Sequence, residues 1–284
     1  MEYAFAIDPA QGLSRENELD CVRLAAELGY RSAWTPGTAD GSAFDRCLDW
    51  FRASGLTTGI AVVPASGQPP SFYADQAIRV WEESGGKFIL GVGSGQMAHA
   101  VREMSSYLAE LRERLPAGLP LYVAALGPQM LALAAETAEG VSLNWCSAAQ
   151  VAWSRAKVGE AAARASRPLP VVAEYIRTAI DLDSSLAARV VGAAMQTYAL
   201  GSAAYRRHFE RMGFADEVAQ QRAEHRQPSP EMLSAVGVGS EPGTGRQHFL
   251  KLAQGLDLAI VRVLVCTKGD ANSARAVLEE CRPD

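Results

Sequence analysis

The chain has 284 residues, 48% hydrophobic and 21% charged, with a formal net charge of −5. That is the balance of one large soluble globular domain, and the negative sign is the opposite of the basic face a nucleic-acid binder carries. No apolar run reaches the roughly 20 residues needed to span a bilayer, so neither nucleic acid nor membrane is an expected partner.

The start, Met1-Glu2-Tyr3-Ala4-Phe5, lacks the basic segment and apolar core of a secretory leader. Five cysteines (Cys21, Cys47, Cys146, Cys266 and Cys281) are scattered without C-x-x-C spacing. They predict reduced thiols in a cytoplasm rather than a disulfide frame or zinc site. The four histidines are not spaced as ligands on one helix face, and no metal is expected.

Short β-branched or aromatic runs predict eight strands, at 2–8, 31–35, 59–63, 87–92, 121–125, 141–144, 171–178 and 258–266. Helical patterns lie between them. Ser42, with Asp45 as capping partner, begins one in which Phe44, Cys47, Leu48 and Phe51 recur at helical spacing. Gly127-Pro128 opens another, with proline at the first helical position. Ser147 and Gln150 form a capping-box pattern for a third. The last has Ala274, Val277, Leu278 and Cys281 on one face behind an Asp270 cap.

Strict alternation without hairpin signals predicts a parallel sheet. Runs such as Ile60-Ala61-Val62-Val63 and Leu258-Ala259-Ile260-Val261 suit strands covered on both faces. Eight units favour a (β/α)₈ TIM barrel, a single domain over 1–284, above an open doubly wound sheet. One connection, about eighty residues between the seventh and eighth strands, is out of proportion. It reads as a helical insertion before the last strand, about 184–256. It is alanine-rich at first, then carries Arg206, Arg207, His208, Arg211, Arg222, His225 and Arg226, and its helical part is predicted to end at Pro228 and Pro230. It either covers the barrel mouth or serves as a packing or dimer surface.

In such barrels chemistry sits where strands end. Asp8 and Asp40 are the candidate proton donors or acceptors, although Asp8 can equally just end its strand. Gly91-x-Gly93-Ser94-Gly95 is too incomplete for a dinucleotide fingerprint. Its glycines would either let backbone approach a flat ring or form a tight strand exit. Asn144 and Trp145 end the sixth strand. Trp34 and Trp145 either wall a ring cavity or pack beneath loops. Arg177 is a candidate anion partner, or half of a structural ion pair.

In order along the chain, several segments resemble luciferase-like monooxygenases: Leu28-Gly29-Tyr30-Arg31-Ser32-Ala33-Trp34, Gly59-Ile60-Ala61-Val62-Val63-Pro64, and Ser84-Gly85-Gly86-Lys87-Phe88-Ile89-Leu90-Gly91-Val92-Gly93-Ser94-Gly95. Ala124-Ala125-Leu126-Gly127-Pro128-Gln129 and Glu139-Gly140-Val141-Ser142-Leu143-Asn144-Trp145 are similar to the branch that uses coenzyme F420. The resemblance implies an oxidoreductase moving a hydride between F420 and a small organic substrate, usually as a homodimer. FMN is the alternative cofactor, in a monooxygenase or a non-catalytic flavin binder. It implies ring contacts from Ala61, Val62, Val63, Gly91, Gly93, Ser94 and Gly95, with Asn144 and Trp145 at the same site. Gly127 and Arg177 would sit near anionic parts of the cofactor. It also places a non-proline cis peptide at Ala61-Val62. The chain departs from the sugar-phosphate dehydrogenases of that branch in having Pro36-Gly37-Thr38, without histidine, after the second strand. Their acid/base group and substrate therefore do not carry over.

Overall fold

The computed structural model describes residues 1–224 and 226–284; His225 lies outside the described residues. The strands are β1 (Glu2–Ala6), β2 (Ser32–Thr35), β3 (Thr57–Pro64), β4 (Phe88–Gly93), β5 (Leu121–Ala124), β6 (Gly140–Asn144), β7 (Val171–Ile180), β8 (Val238–Ser240) and β9 (Leu258–Val263). The first six helices are α1 (Arg15–Glu27), α2 (Ser42–Ser54), α3 (Pro70–Glu83), α4 (Ala100–Arg114), α5 (Pro128–Thr137) and α6 (Ala148–Arg164). Between β7 and β9 come α7 (Ser184–Gly201), α8 (Ala203–Arg211), α9 (Ala215–Glu224), α10 (Pro230–Val236) and α11 (Gly245–Leu252). The last helix is α12 (Ala271–Glu280).

Every pairing in the sheet is parallel, and β1 joins both β2 and β9 while β7 joins both β6 and β9. Strands β1–β7 and β9 therefore close an eight-stranded barrel, and they are the eight strands predicted. The ninth, β8, was not anticipated. Val238-Gly239-Ser240 is three residues with a central glycine, too short to carry an alternating pattern. It pairs with Thr178–Ile180, beyond the stretch of β7 that β6 covers.

Two details of the helix starts differ from expectation. Helix α2 is capped by Gly41, in the left-handed region at φ 82°, and Asp40 rather than Asp45 accepts the Ser42 N–H. Asp45 instead pairs with Arg79 at 2.7 Å. Pro230 does not end the helical part of the insertion; it opens α10 behind a Ser229 cap, where its missing N–H costs nothing. The Ser147 and Asp270 caps are present as expected.

Strand alternation divides the interior in two. Facing outward, residues such as Val141, Leu143, Val172, Ile176 and Val261 join the main core between barrel and helices. Facing inward, Ala4, Ala6, Trp34, Tyr122, Ala173, Tyr175, Leu258 and Ile260 form a separate cluster inside the barrel. A third cluster ties the insertion to the β6 exit, with Trp145 packed among Ala187, Val191, Met195 and Phe209.

By the same alternation Glu174 faces outward from β7. It is fully buried, and its Oε1 accepts the Cys146 N–H at 2.6 Å. From α8, His208 reaches the same turn. Its Nε2–H donates to the Trp145 carbonyl at 2.9 Å and Nδ1 accepts from Arg211 at 3.3 Å. Burial pushes His208 down to about 4, so the ring is neutral at ordinary pH. These bonds hold Trp145 at φ 57°, a conformation that costs a bulky residue on the order of 1–3 kcal/mol.

Burial pushes the Glu174 carboxyl up to about 8, against which the Cys146 N–H and Arg177 pull only partly. The folded chain keeps a proton that the unfolded chain has released above the ordinary carboxylate range. Stability should therefore fall as pH rises from about 5 to about 8, by at most ~1.4 kcal/mol per pH unit, and level off above. Urea unfolding of wild type and Glu174→Gln at pH 5, 6.5 and 8 checks this. The wild type should lose stability relative to the variant across the window, and parallel pH profiles would contradict the assignment.

Candidate functional site

A cavity of about 220 Å³ opens at the carboxyl ends of the strands. Its origin lies in the inward-facing side chains. One layer down, Trp34 and Tyr122 fill the barrel with rings 5.6 Å apart. Gly59 and Gly140 leave them room; a Cβ would lie 2.5 Å from the Trp34 ring at Gly59 and 2.4 Å from the Tyr122 ring at Gly140. Two residues further along each strand the inward positions are small: Ala61 on β3, Ala124 on β5, Ser142 on β6 and Ala173 on β7. A plugged floor under a layer of small residues leaves a hollow where the strands end.

On one side the hollow is bounded by β3, whose register with β4 shifts between Ile60 and Val63. The Ala61–Val62 peptide is cis, at the position the resemblance implied. The glycines Gly91 and Gly93 serve this segment. A Cβ at Gly91 would lie 2.2 Å from the Ile60 carbonyl oxygen, and one at Gly93 would lie 2.7 Å from Val62 Cγ2. Their bareness seats β3 and Val62, which themselves line the cavity. Gly95, at φ 59°, packs against Ser66, and Ser94 follows half-buried in the same turn. Val63 is fully buried in the outer core.

The polar wall comes from β6, β7 and β9. Asn144 is its hub: Nδ2 donates to the Tyr205 hydroxyl and Oδ1 accepts from Arg177 Nη1, both at 2.5 Å. Arg177 stacks at 4.1 Å from the Trp145 ring centroid and 4.8 Å from that of Tyr198. Its register partner on β9 is Arg262, which pairs with Asp8 and lies 4.9 Å from the Tyr175 ring. Both guanidinium groups are buried. Burial, with Arg262 beside it, lowers Arg177 to about 10. Burial raises Tyr198, but the two arginines outweigh it and hold the phenol below its ordinary value. Tyr205 is pushed up to about 12, chiefly by burial. Several buried polar atoms in this wall have no partner: Ser142 Oγ, Tyr175 Oη, Arg177 Nη2 and Arg262 Nε.

Of the residues singled out by sequence, Ala61, Val62 and Asn144 line the cavity. Asp8 and Arg177 touch its polar wall through Arg262 and Asn144. Trp145 lies behind that wall, fully buried, and Trp34 is barrel floor. Gly127 caps α5 without any atom near its absent Cβ. Asp40 is outside the cavity; its carboxylate accepts from Thr38 and Ser42, which hold it down to about 2. Sequence reasoning missed Ser142, Tyr175, Arg262, Tyr198 and Tyr205. Arg262 did have a signal, as the one charge within the apolar run 258–266. Tyr198 and Tyr205 belong to α7 and α8, so the insertion does reach the barrel mouth. Among the described residues, no cluster of three or more His, Cys, Asp or Glu could hold a metal ion.

Residues 106–238 match the family model for luciferase-like monooxygenase. No curated protein matches the sequence. Among solved structures, a coenzyme F420 dependent tetrahydromethanopterin reductase from Methanopyrus kandleri is similar at TM-score 0.73 and 18% identity, with 99% of this chain and 98% of that one covered. An F420-dependent secondary alcohol dehydrogenase in complex with an F420-acetone adduct has TM-score 0.73 and 11% identity, with 99% of each chain covered. The oxygenating constituent of 3,6-diketocamphane monooxygenase from Pseudomonas putida, in complex with FMN, has TM-score 0.62 and 14% identity over 100% of this chain and 99% of that one. The stretch 106–238 thus matches the luciferase-like monooxygenase model, and it lies within the closed parallel barrel that these solved structures share.

Proposed function

We propose that the protein is an oxidoreductase that moves a hydride between coenzyme F420, held in the strand-end cavity, and a small organic substrate. The observation that carries this reading is the cavity itself: small walls at Gly37, Ala61, Ala124 and Ala173, with Val62 braced over Gly91 and Gly93. These residues fit a flat heterocycle. The buried, unpartnered hydroxyls of Ser142 and Tyr175 suit the polar edge of such a ring, since a buried donor left without a partner costs about 1–3 kcal/mol. The two F420-dependent neighbours at TM-score 0.73 support the deazaflavin over FMN, whose complex stands at 0.62.

When bound, such a cofactor supplies the hydride chemistry. The chain's own residues hold, orient and handle the proton. Val62 would back the ring and Ser142 with Tyr175 would fix its edge. Tyr198, on the cavity wall beside Arg177, is the titratable group placed to give or take a proton at a substrate oxygen. Asp8 acts one step removed, by holding Arg262.

Titrating the purified protein with F420 and with FMN, and following quenching of cofactor fluorescence, tests the cofactor assignment. Micromolar binding of F420 is expected; micromolar FMN binding with none for F420, together with oxygen consumption on reduced FMN, would replace the reading with a flavin monooxygenase. Gly93→Ala forces a methyl against Val62 and should weaken cofactor binding at least tenfold, with a lowered unfolding midpoint but a folded protein at the assay temperature. Unaltered affinity would separate the Val62 brace from the cofactor site. For Tyr198→Phe the expectation is a fall in kcat of roughly 10²-fold or more, with the cofactor Kd within twofold of wild type; an unchanged kcat would remove Tyr198 from the chemistry.

A further inference from the structure

The polar wall carries more positive charge than it neutralises. Arg177 and Arg262 sit side by side in register on β7 and β9, both inward-facing and both buried. Asp8 is the one carboxylate paired with either of them among the described residues, and it pairs with Arg262. Arg177 has a neutral amide oxygen, that of Asn144, and the faces of Trp145 and Tyr198. Glu174, whose backbone borders the cavity, turns its carboxyl to the outward face of β7, where Oε1 accepts the Cys146 N–H at 2.6 Å and burial disfavours its charged form, so it pairs with neither arginine. Arg177 Nη2 and Arg262 Nε are buried without acceptors. A buried ion without a counter-ion is strongly disfavoured, and stacking on two aromatic faces offsets only part of that cost. Arg262, Asn144, Tyr198 and Tyr205 all line the cavity.

We infer that this wall is an anion subsite, and that the substrate carries a carboxylate seated at Arg262 beside Asn144 and Tyr198, with Arg177 adding its charge from behind Asn144. The inference rests on the reading of the cavity as the hydride-transfer site, yet it concerns a charge the chain itself leaves unbalanced. A single added negative charge completes the balance of two guanidiniums against Asp8. A guanidinium presents planar paired donors, which suit a carboxylate's two oxygens. Tyr198 then stands next to the bound carboxylate, where it can serve the oxygen undergoing oxidation or reduction on a neighbouring carbon.

The test uses the full chain and two probes of equal shape, benzoate and benzamide. Trp145 is the reporter, since its ring stacks on Arg177. Benzoate should quench tryptophan fluorescence saturably and bind at least tenfold more tightly than benzamide; equal affinities would overturn the proposal. Arg262→Gln should abolish the preference and Arg262→Lys should retain part of it, and a preference surviving in a folded Arg262→Gln protein would count against the site. A third arm repeats the benzoate titration with saturating F420 or FMN. Unchanged benzoate affinity supports a substrate subsite, whereas competition would assign the anion site to the cofactor and sink the substrate assignment. Should neither cofactor bind while benzoate remains selective, the anion subsite stands and the cofactor reading falls.

Discussion

The constraint on which the site depends is alternation along strands closed into a ring. A closed parallel barrel has an inside that must be filled, and each strand contributes every second residue to it. In this chain the aromatic pair Trp34 and Tyr122 fills one layer. The next layer, at Ala61, Ala124, Ser142 and Ala173, is too small to fill the other. Packing density therefore drops at the strand exits, and the hollow follows from side-chain size. The outward positions do the ordinary work of stability, burying apolar surface against the helices.

Charge is placed by the same rule. Arg177 and Arg262 fall on inward positions of adjacent strands, so pairing in register sets two guanidiniums together inside a low-dielectric mouth. Two charges of one sign are held there by the Asp8 pair, by the Asn144 amide and by aromatic faces. The insertion completes the wall, because Tyr205 takes the Asn144 amide hydrogen and Tyr198 covers Arg177. Behind it, Glu174 and His208 hold the turn that carries Trp145. The insertion is thus part of the site, and its removal would open both the cavity and the arginine pair to water.

Much of the fold was legible because all eight barrel strands stand as short β-branched or aromatic runs, the most apolar of which, Ile60–Val63 and Leu258–Val261, mark strands covered on both faces. What was not legible has physical reasons. Strand β8 is three residues with a glycine and exists only because β7 extends past β6. Asp45 sits at a capping-box spacing, yet Asp40 lies before a left-handed Gly41 and reaches the amide first. Gly91 and Gly93 were read as either an approach to a ring or a tight strand exit, and the neighbour that a Cβ at either would meet is β3. Tyr198 and Tyr205 could not be placed, since nothing local in an alanine-rich helix says which surface it will cover. Arg262 was within reach: a lone charge at an inward position of a buried strand is costly enough to demand a reason.

The central claim is that a flat ring occupies the hollow at the strand exits, with Val62 behind it and the Ser142 and Tyr175 hydroxyls at its edge. Crystals soaked in F420, and separately in FMN, measure this directly. Density for a tricyclic ring between Val62 and the Tyr175 hydroxyl is the expected result. A ring bound elsewhere on the surface, with the hollow closed by the side chains around it, would contradict the account.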